Sequence, residues 1–282
     1  MTEFRSADFP TSARLTSRVG SVLGLNPGLM TGPGTNTYVV GERRPILIDT
    51  GAGMPGYVPL LTEFLARERL GRIPRIVLTH RHHDHMGGVA DLRRIYPRIP
   101  VGKLVANDPS LPVPVERLAE GSVIRGEGVT LHALYTPGHA SDHLCYYLEE
   151  ERALFTGDLI LGGSTTVIPP DDGDLAAYLG SLRRLLDLDI RRLYPGHGPM
   201  IEPARPVIED YIAHRLEREA QIRAALGGGA DTVADIVARV YRDVPPALHP
   251  AAQLSVQAHL IKLVHEGAVI RHGETPHRYR LL

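Results

Sequence analysis

The sequence predicts an α/β protein in which strands alternate with helices and the ends of the strands carry the chemistry. Short apolar runs rich in Val, Ile and Leu alternate with segments of helical spacing over about residues 37–226. Several of these runs end directly in loops of His, Asp and Gly. Because strand ends that meet at one edge of a sheet bring their loops together, we expect a functional site at that edge.

The individual elements are predicted from spacing and from stop signals. Strands are expected at residues 37–40, 45–48, 75–78 and 192–194, with strand-to-loop junctions at residues 134–139 and 153–158. Residues 99–135 are expected to alternate short strands and turns. Helices are expected at residues 58–69, 87–95 and 206–226, and a further amphipathic helix is expected to begin at the N-cap Asp174.

A glycine triplet, Gly227-Gly228-Gly229, is the clearest boundary signal in the chain. It predicts a catalytic domain over residues 1–226 and a second domain over residues 227–282. In the second domain, residues 232–241 and 250–266 have helical spacing, and the tail has the pattern of a hairpin. Helices followed by a terminal hairpin predict a small winged-helix-like domain.

Composition excludes several classes of protein. The formal net charge is −1, so we do not expect a partner of double-stranded DNA. The sequence has no apolar run of membrane-spanning length, and its first twenty residues are polar. A single cysteine, Cys145, excludes an internal disulfide and suits a reducing compartment, so a cytoplasmic location is expected. The sequence does not indicate an oligomeric state.

Histidines and aspartates follow the predicted strands in a metal-binding pattern. Residues 80–85 have the pattern His-x-His-x-Asp-His, and three further residues of the same kinds follow short apolar strands and a glycine. An expression tag would be terminal and homopolymeric, whereas this segment is internal and punctuated by Asp and Gly. Imidazole nitrogens and carboxylate oxygens are natural ligands of zinc and similar ions. The candidate metal ligands are His80, His82, Asp84, His85, His139, Asp158 and His197.

These motifs, preceded by Asp49, resemble the metallo-β-lactamase superfamily over about residues 26–197. The resemblance implies an αββα sandwich and a metal-dependent hydrolase that uses a hydroxide bridging two divalent ions. Zinc is expected ahead of manganese or iron. One ion would be bound by His80, His82 and His139, the other by Asp84, His85 and His197, with Asp158 bridging them. Asp84 would orient the nucleophile, and Asp49 would brace the site from behind a ligand histidine.

A closer resemblance is to the β-lactamase-like-protein-2 group, and it extends over nearly the whole chain, including the winged-helix-like domain. It is carried by segments such as Gly-Thr-Asn-Thr-Tyr at residues 34–38 and Tyr-Pro-Gly-His-Gly-Pro at residues 194–199. The group includes an endoribonuclease acting on single-stranded RNA and thioesterases acting on acyl carriers. We expect single-stranded RNA by a slight margin, with an acyl thioester as the alternative. The substrate-binding residues are not predicted.

Two other functions fit parts of the pattern. A mononuclear iron oxygenase can share the fold, but the intact set of Asp84, His85 and His197 favours two ions. A winged-helix regulator that senses metal is a different class of protein. A recognition helix normally carries several basic residues, whereas residues 251–265 contain one lysine, Lys262.

Overall fold

The structure is a computed structural model that describes residues 9–104, 115–274 and 276–282. Its described residues divide into two compact units. The first unit contains the described residues up to 136 together with residues 142–165 and 188–205. The second unit contains residues 137–141 and 166–187 and the described residues from 206 to 282.

The first sheet of the first unit has its strands in chain order. They are β1 (Ser12–Arg14), β2 (Val19–Leu23), β3 (Asn36–Val40), β4 (Ile46–Ile48), β5 (Ile76–Val77), β6 (Val101–Lys103) and β7 (Glu116–Arg117). The strands β1 to β4 pair antiparallel, and β4 to β7 pair parallel. The helices α1 (Tyr57–Arg67), α2 (His83–Met86) and α3 (Val89–Ile95) connect the parallel strands. Parallel pairing places the carboxyl ends of β4, β5 and β6 at one edge.

The second sheet of this unit contains β8 (Val123–Gly126), β9 (Val129–Tyr135), β10 (Leu144–Leu148), β11 (Ala153–Gly157) and β12 (Arg192–Pro195). Its strand order is β12-β11-β10-β9-β8, with β11 and β12 parallel and the other pairs antiparallel. A short 3₁₀ helix, Glu149–Glu151, joins β10 to β11. The carboxyl ends of β11 and β12 therefore also open at a common edge.

Two apolar clusters bury the faces of the first sheet. One cluster joins this sheet to the second and includes Tyr38, Tyr146 and Phe155. The other joins the opposite face of the sheet to the connecting helices and includes Phe64 and Leu92. Full burial of one such side chain stabilises the fold by about 1.5–3 kcal/mol. The two sheets are thus layered on each other, with helices outside the first, and the strand ends are held on a rigid core.

The second unit is mainly helical. It contains α4 (Leu175–Leu185), most of α5 (Ala204–Gly227), α6 (Val233–Val240), α7 (His249–His265) and the hairpin of β13 (Val269–His272) and β14 (Arg278–Leu281). Asp174 caps α4 by accepting a hydrogen bond from the Ala177 amide at 2.9 Å. The end of α5 contributes Ile222 and Leu226 to one apolar core with α6 and α7. The domain boundary between residues 226 and 227 stays a prediction.

The predicted α/β architecture with a helical and hairpin C-terminal part is confirmed, with one local correction. The helix expected at residues 87–95 is α3, which begins at Val89, and it is preceded by a short helix that was not expected, α2, which contains His85. Gly88, between the two helices, lies close to the loop after β4, since a Cβ on this residue would lie 2.2 Å from the Thr50 carbonyl oxygen. Residues 105–114, inside the stretch of predicted strands and turns, lie outside the described residues. Among the helices described, none has both the length and the apolar character needed to cross a bilayer.

Candidate metal centre

The histidine segment follows directly from a buried parallel strand. After β5 the chain continues through Leu78 and Thr79 to His80, which is fully buried. His82 is the N-cap of α2, and Asp84 and His85 lie in the first turn of that helix. A strand that turns sharply into a helix thus presents four ligand-type side chains within six residues. The Nε2 atom of His80 lies 2.9 Å from Nδ1 of His82.

Two more ligand-type residues follow the parallel strands of the second sheet. Asp158 comes after β11, and His197 comes two residues after β12. The two turns are tied together because the amide of Gly196 donates to the carbonyl of Gly157 at 2.8 Å. Asp158 and His197 are both buried. Adjacent parallel strands therefore deliver a carboxylate and an imidazole to the same place.

Four of these side chains converge on one point in the first unit. Oδ1 of Asp158 lies 3.2 Å from Nε2 of His85 and 3.4 Å from Nε2 of His197. Oδ2 of Asp84 lies 3.2 Å from Nε2 of His197 and 3.6 Å from Nε2 of His85. Ligand atoms of Asp84, His85 and His197 all lie within 4.8 Å of one another, and so do those of His80, His85 and Asp158. Each group is compact enough to hold a metal ion.

Hydrogen bonds accepted by Asp49, one direct and one through Thr79, determine which ring nitrogen of His85 and of His80 faces this point. Oδ2 of Asp49 lies 2.8 Å from Nδ1 of His85, so Nδ1 carries the proton and Nε2 carries a lone pair. The Thr79 hydroxyl donates to the same oxygen at 2.8 Å and lies 3.0 Å from Nδ1 of His80. Because the hydroxyl proton of Thr79 is donated to Asp49, Nδ1 of His80 must donate to the Thr79 oxygen. One carboxylate thus turns the Nε2 lone pairs of His80 and His85 towards the site.

The donor set fits a cation. Lone pairs of imidazole and carboxylate face each other at 3.2–3.6 Å, an arrangement that is repulsive unless positive charge lies between them. Without an ion, protons supply that charge. Burial lowers the pKa of His197, but the negative charge of Asp158 outweighs burial and raises this pKa to about 9. Burial also lowers the pKa of His85, but Asp158 and Asp49 outweigh it. They raise the pKa of His85 well above its ordinary value.

The two carboxylates respond in the opposite sense. Burial alone would raise the pKa of Asp158, but His197 and His85 hold that pKa well below its usual value. The pKa of Asp84 is also lowered against the effect of burial, chiefly by the hydrogen bond with His197 and by the charge of His85. Both carboxylates are therefore anionic at neutral pH, as metal ligands must be.

The remaining predicted ligand, His139, lies in the segment Pro137–Ser141 of the second unit. It is buried, and its Nδ1 lies 2.7 Å from the carbonyl oxygen of Val167, so Nδ1 donates and the ring lone pair is on Nε2. That is the ring form in which a histidine binds a metal through Nε2. Its part in the site stays a prediction.

Two buried residues near the centre were not predicted as functional. Lys103 and Asp142 form an ion pair of 2.9 Å and are 1% and 3% exposed. Lysine is rare here, since Lys103 and Lys262 are the only lysines in a chain with 31 Lys and Arg residues, and that rarity was a signal in the sequence. His143 accepts a hydrogen bond from the Asp158 amide at 3.1 Å. His83, which lies outside the pattern of candidate ligands, is exposed.

Comparison with known proteins agrees with this geometry. Residues 30–197 match the model of the metallo-beta-lactamase superfamily, and residues 232–278 match the beta-lactamase associated winged helix domain. A beta-lactamase-like protein 2 homolog of Caenorhabditis elegans is 38% identical over 270 residues, covering 94% of this chain and 88% of the relative. An atrochrysone carboxyl ACP thioesterase of Aspergillus fumigatus is 38% identical over 254 residues, covering 84% and 78%.

A solved structure agrees as well. A metallo-beta-lactamase family protein of Thermus thermophilus superposes with a TM-score of 0.80 at 25% identity, covering 95% of this chain and all of the other. The fold and the cluster of imidazoles and carboxylates define the class of metal-dependent hydrolases. The chain belongs to the metallo-beta-lactamase superfamily, with the associated winged helix domain at its C-terminal end.

Proposed function

We propose that this hydrolase binds two divalent metal ions and cleaves acyl thioesters. The observation that carries the proposal is the position of Asp158, whose Oδ1 lies 3.2 Å from His85 and 3.4 Å from His197. Asp158 also shares a compact ligand group with His80. A carboxylate with histidines of both predicted sets around it is suited to bridging two ions.

The proposed ligand sets follow the order of the family motifs. His80, His82 and His139 would hold one ion, and Asp84, His85 and His197 the other, with Asp158 between them. Bound ions of this kind supply Lewis acidity and lower the pKa of a coordinated water towards neutrality. A donor set of imidazole and carboxylate without thiolate suits zinc, and also manganese or iron.

The chain's own residues orient the reacting groups. The side chain of Asp84 is 27% exposed, more than that of Asp158 or His197, so it is the carboxylate that a substrate or water can reach. Because its pKa is lowered, Asp84 is anionic at neutral pH and accepts a hydrogen bond from the attacking water. Asp49 keeps His80 and His85 in the ring form that faces the site.

The choice of substrate class rests on similarity and on charge. Relatives that are 38–40% identical over most of this chain are named as thioesterases of an acyl carrier. The formal net charge of −1 also suits an acyl substrate better than a polyanion. These two observations favour the thioester over the single-stranded RNA that the sequence analysis placed slightly ahead. RNA stays the second candidate because the resemblance to the group that contains the ribonuclease runs through both domains.

A direct comparison of substrates tests the proposal. Purified protein loaded with zinc or manganese is assayed on acyl thioesters and on a labelled single-stranded oligonucleotide. We expect thioester hydrolysis to be lost in His85→Ala and kept in His83→Ala, which removes an exposed histidine from the same helix. The paired variants separate a catalytic centre from a contaminating activity.

Salt dependence distinguishes the two substrates further. Binding of single-stranded RNA should weaken with salt by a log–log slope of about −0.7 for each neutralised phosphate, whereas an apolar acyl group gives a much smaller slope. Oligonucleotide cleavage that is lost in His85→Ala, with no thioester hydrolysis, would replace the proposed substrate by RNA. A chain that binds one iron and consumes oxygen would overturn the hydrolytic proposal altogether.

A further inference from the structure

We propose that Lys103 is a positioning residue that fixes the turn carrying His80 and His82 through its ion pair with Asp142. This inference rests on the metal centre proposed above. Nζ of Lys103 lies 2.9 Å from Oδ2 of Asp142, and both side chains are almost fully buried. The other carboxylate oxygen, Oδ1, accepts from the backbone amide of Arg81 at 3.4 Å.

Arg81 stands between the two histidines, so its backbone sets their spacing. The strand geometry explains why Lys103 reaches this place. It ends β6, which pairs parallel with β5, and β5 leads into the histidine turn. The amide of Leu144 donates to the carbonyl of Thr79 at 2.7 Å, so the segment that carries Asp142 runs beside the turn on both sides of His80.

The neighbour of Asp142 extends the same support to a second ligand loop. His143 accepts from the Asp158 amide at 3.1 Å through Nε2, and its Nδ1 lies 2.9 Å from the hydroxyl of Thr136. The dipeptide of Asp142 and His143 therefore contacts the turn of His80 and His82 on one side and the turn of Asp158 on the other. Lys103 holds this dipeptide from the first sheet.

Stability alone does not explain a buried ion pair. The desolvation of two charges largely offsets their attraction, and replacing such a pair by apolar side chains is often neutral or stabilising. The choice of lysine is also specific, because the chain otherwise uses arginine for nearly all of its basic residues. The lysine ammonium is a compact charge that pairs with one carboxylate oxygen, Oδ2 of Asp142, and leaves Oδ1 to the Arg81 amide. The pair is therefore expected to act on the geometry of the ligand loops.

The test separates metal affinity from stability. Lys103→Met/Asp142→Leu removes both charges and the acceptor for the Arg81 amide, whereas Lys103→Met/Asp142→Asn keeps an acceptor. We expect the zinc affinity of the metal-free protein, measured by chelator competition, to fall about tenfold to a hundredfold in the first variant and less in the second. Thermal unfolding of the metal-free protein should stay close to wild type. The cobalt-loaded variants should show an altered visible spectrum.

Lys262→Met is the matched control, because it removes the other lysine, which pairs with Glu219 and Glu266. It should keep wild-type affinity. If the Leu variant does not give the near-ultraviolet circular dichroism of a folded chain, the Asn variant decides alone, and a weaker affinity supports the proposal. Wild-type affinity in the folded double variants overturns it. A wild-type protein that binds no divalent ion would instead overturn the proposed function.

Discussion

His85 and Asp49 are 36 positions apart in the sequence, yet Nδ1 of the histidine lies 2.8 Å from Oδ2 of the aspartate. The same oxygen accepts from Thr79, whose own oxygen faces Nδ1 of His80. One carboxylate oxygen therefore fixes the ring form of a histidine in each proposed ligand set. This shared dependence predicts that both ions respond to a change at Asp49.

Asp49→Asn should weaken binding of both ions by about tenfold to a hundredfold. Both oxygens of Asp49 accept, Oδ1 from the Thr79 amide and Oδ2 from His85 and the Thr79 hydroxyl, so the new amide nitrogen would face a donor in either orientation. Asn suits the backbone here, because Asp49 has a φ of 58° and Asn tolerates this left-handed region. Metal titration measures the effect, and Asp174→Asn, which keeps a good N-cap on α4, is the control. Unchanged titration would contradict the assigned ring forms.

Asp158→Ala should remove the two-metal state. Purified wild-type protein is expected to contain close to two transition-metal ions per chain, measured by plasma mass spectrometry. Without the bridging carboxylate, the two ions lose the ligand that they share. The metal content and the hydrolysis rate should therefore both fall sharply. His83→Ala, an exposed neighbour of the ligands, should keep both. Full metal and full activity in Asp158→Ala would rule out the bridging role.

Gly196→Ala should disturb the centre without straining the backbone. A Cβ at this position would lie 2.6 Å from Oδ1 of Asp158 and 2.8 Å from Cε1 of His85. The glycine is not among the residues with a positive φ, so alanine can adopt its backbone conformation. We expect weaker metal binding in a folded chain. Gly180→Ala meets nothing within 4 Å and is the matched control. If both variants bind metal equally well, the added methyl group does not crowd the ligands.

Metal binding should release protons at neutral pH. In the metal-free chain Asp158 raises the pKa of His197 to about 9, so this histidine is protonated at pH 7 and must lose its proton to bind an ion. The apparent affinity should therefore rise with pH, by about tenfold per unit for each displaced proton, and this contribution should level off above about pH 9.

Calorimetry in buffers of different ionisation enthalpy counts the released protons. His83→Ala should release as many as wild type, because that exposed side chain lies outside the ligand groups. An affinity that is independent of pH between 6.5 and 9 would show that His197 is not displaced from a protonated state.

The sequence by itself determined the class of fold, the family and the list of ligand-type residues. Strand and helix positions follow from apolar periodicity, which reflects the fixed repeat of each backbone conformation. The His-x-His-x-Asp-His segment is equally local, since a strand that turns into a helix brings neighbours such as His80 and His82 together. The short helix α2 was missed because its four residues, His83–Met86, are too few to show the apolar repeat of a helix.

Only the tertiary structure decided which side chains hydrogen-bond to the candidate ligands and support their loops. The hydrogen bond of Asp49 to His85 requires β4 and β5 to be neighbours, and the ion pair of Lys103 with Asp142 joins segments of different sheets. No local repeat contains these distances, because they depend on the order of strands and on the packing of one sheet against another. The ring form of each histidine follows from such contacts, so the sequence could supply the candidate ligands but not the direction of their lone pairs.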